Sequence, residues 1–162
     1  MANRKHLALL KQGVEPWNEW RVTKPHIKPN LSHAPLSGQP LSKSDLSLAN
    51  LSEADLSGAD LSMAYLLGAD LREATLSKAK LTRADLREAT LIQANLLGAD
   101  LSMADLHGAY LTGATLKKAD LTHARLSGAK LIRANFTEAT LIEANLSGSD
   151  LIDTHLSGAN LT

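Results

Sequence analysis

Residues 49–63 read Ala-Asn-Leu-Ser-Glu, Ala-Asp-Leu-Ser-Gly, Ala-Asp-Leu-Ser-Met, and this stretch decides the fold. The same five-residue unit runs outward from it in both directions. From Leu31 to Leu161 every fifth residue is Leu, with Phe136 the one departure among 27 positions. Two places before each of these stands Ala in 22 of the 27 cases. The exceptions (Pro29, Gln39, Ser44, Ser149 and Thr154) lie near the two ends of the run. The residue before the Leu is Asp or Asn in 15 cases, and the residue after it is Ser or Thr in 17. The unit is therefore Ala, Asp/Asn, Leu, Ser/Thr and a variable residue, positions one to five below.

No ordinary element repeats at five. A helix repeats at 3.6 residues and a strand at 2. On a helix, successive Leu residues would advance about 500° and spread over every face. A coiled coil, at 3.5, fails as well. A period of five needs a backbone that turns a corner once per unit, so that positions one and three always face inward. Leu and Ala differ in size and can interlock around a narrow axis. Asp, Asn, Ser, Thr and Gly fill the rest and favour turns. Position five (Glu53, Gly58, Met63, Gly68, Glu73, Lys78) reads as an unconstrained outward site.

This pattern resembles the pentapeptide-repeat proteins, whose motif is A(D/N)LxX, over roughly residues 30–162. The resemblance implies an all-β solenoid, a right-handed quadrilateral β-helix with four pentapeptides per coil. The chain would then hold 27 repeats in just under seven coils at residues 31–162, preceded by a helical N-terminal cap and lead-in at 1–30. Coils stacked about 4.8 Å apart make a rod roughly 30 Å long. Stability becomes a sum of layers and the interfaces between them.

Residues 1–30 differ in composition. They hold both Trp residues of the chain and six basic side chains against two acidic ones. Leu7 and Leu10, then Trp17 and Trp20, are each three apart, and Gly13 separates the pairs. The spacing predicts short helices at about 3–12 and 16–21, with Pro16 opening the second. Leu7, Leu10, Trp17 and Trp20 are the expected cap core, covering the apolar cross-section and open backbone of the first coil. The stretch from Leu10 through Gly13 to Trp17-Asn18-Glu19-Trp20-Arg21 also resembles the N-terminal lead of some cyanobacterial pentapeptide-repeat proteins. At the other end the repeats run to Thr162 without a cap, so an end-to-end homodimer through the C-terminal coil is an expectation.

With four units per coil, residues twenty apart share a face. One face then carries Ile92, Ile132 and Ile152 at position four, with Tyr110 beside them, a candidate partner-contact stripe. Another carries Met63 and Met103 about Arg83, with Lys43 and His123 beyond. Glu53 stacks on Glu73 below Gln93, which reads as solvated carboxylates, since calcium sites gather six or more oxygens in flexible loops. The six histidines show no metal-ligand spacing. No nucleophile elbow, phosphate loop or carboxylate pair in a cleft is present.

Cysteine is absent, which excludes disulfides and thiolate chemistry. Net charge is zero, against the basic balance of a nucleic-acid binder. No apolar run is long enough for a membrane span, and no signal peptide is evident, so a cytoplasmic protein is expected. The expected function is a non-enzymatic rigid scaffold or protein–protein interaction module. It needs no cofactor, metal or small-molecule substrate, and it does not bind nucleic acid or membrane directly. The resemblance implies one alternative, because some members mimic DNA and protect a type II topoisomerase, DNA gyrase. Asp55, Asp60, Asp70, Asp85, Asp100 and Asp105 would be its acidic positions.

Overall fold

The computed structural model describes all 162 residues. Two helices come first, α1 (Arg4–Leu10) and α2 (Val14–Thr23). From Asn30 onward the chain winds in coils whose parallel bridges all join residues twenty apart, from Asn30 with Asn50 to Thr140 with Asn160. The register never slips, so no coil is irregular. Each bridge is one residue long, and the sides of the coil are too short to form extended strands.

The corner is the same at every unit. The position-one N–H donates to the carbonyl of the Leu three residues before it, as Ala54 does to Leu51 at 3.0 Å. The residue at position five has φ between 54° and 69° at each of the 26 corners from His33 to Gly158. An i to i+3 bond with a left-handed third residue is a type II turn. Position five is thus tightly constrained, contrary to the sequence-based reading. Its exposure says nothing of its backbone, and left-handed φ costs an ordinary residue about 1–2 kcal/mol. Nine of the chain's ten glycines stand at these corners for that reason.

The backbone donors of one unit now close completely. The Leu and position-five N–H groups donate forward to the next coil, as Leu51 does to Asp70 at 2.7 Å and Glu53 to Arg72 at 2.9 Å. The position-two N–H donates back to the previous coil, as Asp55 does to Ala34 at 3.0 Å. That leaves the N–H of position four. Wherever position two is Asp or Asn, its Oδ1 accepts this donor, as Asn50 does from Ser52 at 3.0 Å and Asp60 from Ser62 at 3.0 Å. This local bond is the physical content of the Asp/Asn preference. The Ser or Thr hydroxyl at position four often joins it, as Ser102 does at 2.6 Å.

Inward, the Leu and Ala columns, Phe136 among them, join Leu10 and Trp17 of the helices in one continuous core of 45 buried residues. The helices close its lower end. Leu10 and Trp17 are buried, while Leu7 and Trp20 pack against the core half-buried. The second helix starts two residues before its expected position. Gly13 is its N-cap and Pro16 lies in its first turn, where a missing N–H costs no intrahelical bond. The first helix is shorter than expected and stops at Leu10.

The first coil has no coil beneath it, and its orphan groups are handled one by one. The Asn30 N–H donates to His6 Nδ1 at 3.0 Å, and the Asp45 N–H to Asn18 Oδ1 at 2.8 Å. On the other two sides of that coil Pro35 and Pro40 have no N–H to orphan. The Trp17 indole donates to the Asp45 carbonyl at 2.8 Å. The Arg21 guanidinium reaches the carbonyls of Ile27 and Ser47 and the Asp45 carboxylate. Burial holds the His6 imidazole below its ordinary pKa, with the Arg21 charge acting in the same direction. A neutral ring is what an N–H donor to Nδ1 requires.

Candidate interaction surface

The twenty-residue register gives the rod four faces, named here by their first Leu: Leu31, Leu36, Leu41 and Leu46. Position-four and position-five side chains of successive coils stand in columns on each. On the Leu31 face the position-four column runs Ser32, Ser52, Arg72, Ile92, Thr112, Ile132, Ile152. Ile92 and Ile132 are half-buried, while Tyr110 and Ile152 are 47% and 61% exposed. Tyr110 bridges Thr90 below and Lys130 above. The register therefore places all four residues on one face.

The six acidic candidates are not brought together. Asp70 lies on the Leu31 face, Asp55 on the Leu36 face, Asp60 and Asp100 on the Leu41 face with Lys80 between them, and Asp85 and Asp105 on the Leu46 face. Arg72 pairs with Asp70 at 2.6 Å, Arg87 with Asp85 at 2.7 Å and Arg125 with Asp105 at 3.2 Å. Those arginines hold the Asp70 and Asp85 carboxyls below the usual carboxylate range. Hydrogen bonding from Ser57 and Ser62 does the same for Asp55 and Asp60. Burial pushes Asp100 up, and bonds from Ser102 and Thr82 more than offset it.

The other candidates are ordinary surface. Glu53, Glu73, Ser52 and Arg72 line a hollow of about 170 Å³, with the His33 ring 3.3 Å from Glu53. Met103 Sδ lies 3.3 Å from Arg83 Nε. His107 meets Ser127 and His123 meets Glu143, on different faces. No group of three or more acidic or His side chains is placed to hold a metal ion. No helix is long and apolar enough to cross a membrane.

Two features escaped the sequence reading. A shallow groove of about 610 Å³ lies between α2 and the first coil, lined by Val14, Glu15, Asn18, Glu19, Val22, Ser42 and Lys43. On the Leu46 face, Leu48 and Tyr65 are 49% and 54% exposed, and the Leu48 side chain leans over Gly68. The signal for the second was Leu at both outward positions, Leu48 and Leu67.

The family model for pentapeptide repeats matches the chain in eight copies that together run over residues 30–162. Among solved structures, the cyanobacterial pentapeptide-repeat protein Rfr23 from Cyanothece 51142 is 41% identical over 57% of this chain and 60% of its own, with a TM-score of 0.47. The chain thus spans about three fifths of that relative's length. The pentapeptide-repeat protein alr5209 from Nostoc Pcc 7120 is 38% identical over 67% of this chain and 84% of its own, with a TM-score of 0.52. QnrB1, a plasmid-mediated fluoroquinolone resistance protein, is 20% identical over 83% of this chain and 73% of its own, with a TM-score of 0.55, a likeness of fold alone. A comparison with curated proteins finds no match. With one corner geometry repeated from His33 to Gly158 and the family match running across the same residues, the chain belongs to the pentapeptide-repeat family.

Proposed function

We propose that the chain is a rigid, non-enzymatic interaction rod that holds a protein partner against its Leu31 face. The observation that carries this reading is the gathering of Ile92, Tyr110, Ile132 and Ile152 on that one face. The fold gains little from apolar side chains at outward positions, and exposed apolar patches mark contact surfaces. The alternative, a DNA-like inhibitor of a type II topoisomerase, asks for carboxylates along one face. Its six candidates occupy four faces, and three are held by arginines.

The test uses the immobilised full chain as bait, with Ile132→Asp/Ile152→Asp as the stripe variant and Met63→Asp/Met103→Asp as a control on the Leu41 face. A stoichiometric partner should be retained by the wild type and the control and lost by the stripe variant. Equal retention by all three would sink the stripe.

A further inference from the structure

On the Leu31 face the position-four amides divide into two kinds. Those of Ser32, Ser52 and Arg72 donate to the oxygens of Asn30, Asn50 and Asp70, and that of Ile152 donates to Asp150. Between them, position two is Thr90, Tyr110 and Lys130, none of which supplies such an acceptor. The N–H groups of Ile92, Thr112 and Ile132 consequently have no partner within the chain, in three successive layers. No other face leaves three successive position-four amides open. The units that carry them, 89–93, 109–113 and 129–133, hold Lys130 and Arg133 and no acidic residue. Lys130 makes no ion pair, and Arg133 makes only an exposed one of 3.6 Å with Asp153.

We infer that these three layers are a docking site for an acidic, extended peptide segment, whose carboxylates accept from the amides of Ile92, Thr112 and Ile132. The molecule itself displays the complementary group. One layer below, the Asp70 carboxylate sits on the Arg72 amide at 3.2 Å, and one layer above, Asp150 sits on the Ile152 amide at 3.3 Å. A partner's carboxylates would continue that column across the gap. Lys130 and Arg133 favour the same sign of charge, and Ile92, Ile132 and Tyr110 flank the amides with apolar surface. Layers about 4.8 Å apart place the outer amides about 10 Å from each other, within the roughly 13 Å that the outer side chains of five extended residues span. The inference rests on the Leu31 face being the contact surface and names the chemistry of what it contacts.

The probe is the acetylated, amidated peptide Asp-Leu-Asp-Leu-Asp, titrated into the labelled full chain and followed by amide NMR. The resonances of Ile92, Thr112 and Ile132 should shift saturably. The variant Thr90→Asn/Lys130→Asn supplies the chain's own acceptors to two of these amides. It should fold at least as well and weaken binding by about tenfold or more, as should replacing the aspartates of the peptide by serine. The inference is overturned by no saturable shift at millimolar peptide, by shifts spread over all four faces, or by unchanged affinity with the asparagine variant or the serine peptide. The two proposals fail separately. Stripe-dependent capture without amide shifts would leave the interaction rod and remove the acidic segment. Amide shifts with capture indifferent to Ile132 and Ile152 would do the reverse.

Discussion

The Arg21 Nε lies 3.1 Å from Asp45 Oδ2, and this pair ties the second helix to the first coil. The guanidinium is 6% exposed and also serves the carbonyls of Ile27 and Ser47. Replacing it by Ala orphans three acceptors at once. Arg21→Ala should cost about 3 kcal/mol in urea unfolding. Arg21→Lys should recover little, because one ammonium cannot span three acceptors that a planar fork reaches. Full recovery by Lys would reduce the role to charge alone.

Leu101 is fully buried in the middle of the rod, with further coils on both sides. Removing three carbons there leaves a cavity that rigid neighbouring coils cannot fill. Leu101→Ala should cost roughly 2–5 kcal/mol. A negligible loss in calorimetry would contradict an inward Leu column.

Gly58 separates backbone from packing. No atom lies within 4 Å of where its Cβ would stand, yet its φ is 63°. Gly58→Ala should therefore cost about 1 kcal/mol through conformation alone. An unchanged melting curve would mean that the corners relax.

The Asp carboxylates at position two make the fold acid-sensitive in a defined sense. Asp55 and Asp60 have pKa values below the ordinary 3.8 because hydrogen bonds from Ser57 and Ser62 favour the charged form. The folded state then binds fewer protons than the unfolded chain. Their contribution is complete above the unfolded value and is lost as pH falls through the folded one. Asp55→Asn/Asp60→Asn keeps both acceptors. It should match the wild type near pH 7 and lose less stability below pH 3.8. Parallel acid-unfolding curves for the two proteins would refute this.

How far the sequence could be read depended on which side of the backbone a residue serves. Leu56 and Ala59 face inward because a period of five admits no helix or strand, and that much was legible. So was the column of Ile92, Ile132 and Ile152, once twenty residues were taken as one coil. The role of Asp60 was not, because its partner is a backbone N–H two residues on and no residue pattern displays an amide. Position five misled for a related reason. Glu53, Met63 and Lys78 differ in chemistry, which suggests freedom, while all three have φ near 57°. The clue was the glycine share at that position. At the cap, Gly13 read as a break and is the N-cap of α2, because a helix start depends on the turn before it as much as on its first apolar residue.

The central claim is that a closed cycle of backbone bonds builds the rod and that the Leu31 face opens the cycle in three layers. Amide hydrogen exchange read residue by residue tests it directly. The account predicts slow exchange at Ser52 and Arg72 and much faster exchange at Ile92, Thr112 and Ile132, all within equally stable coils. Uniform protection along that column, or equally fast exchange at Ser52 and Arg72, would contradict it.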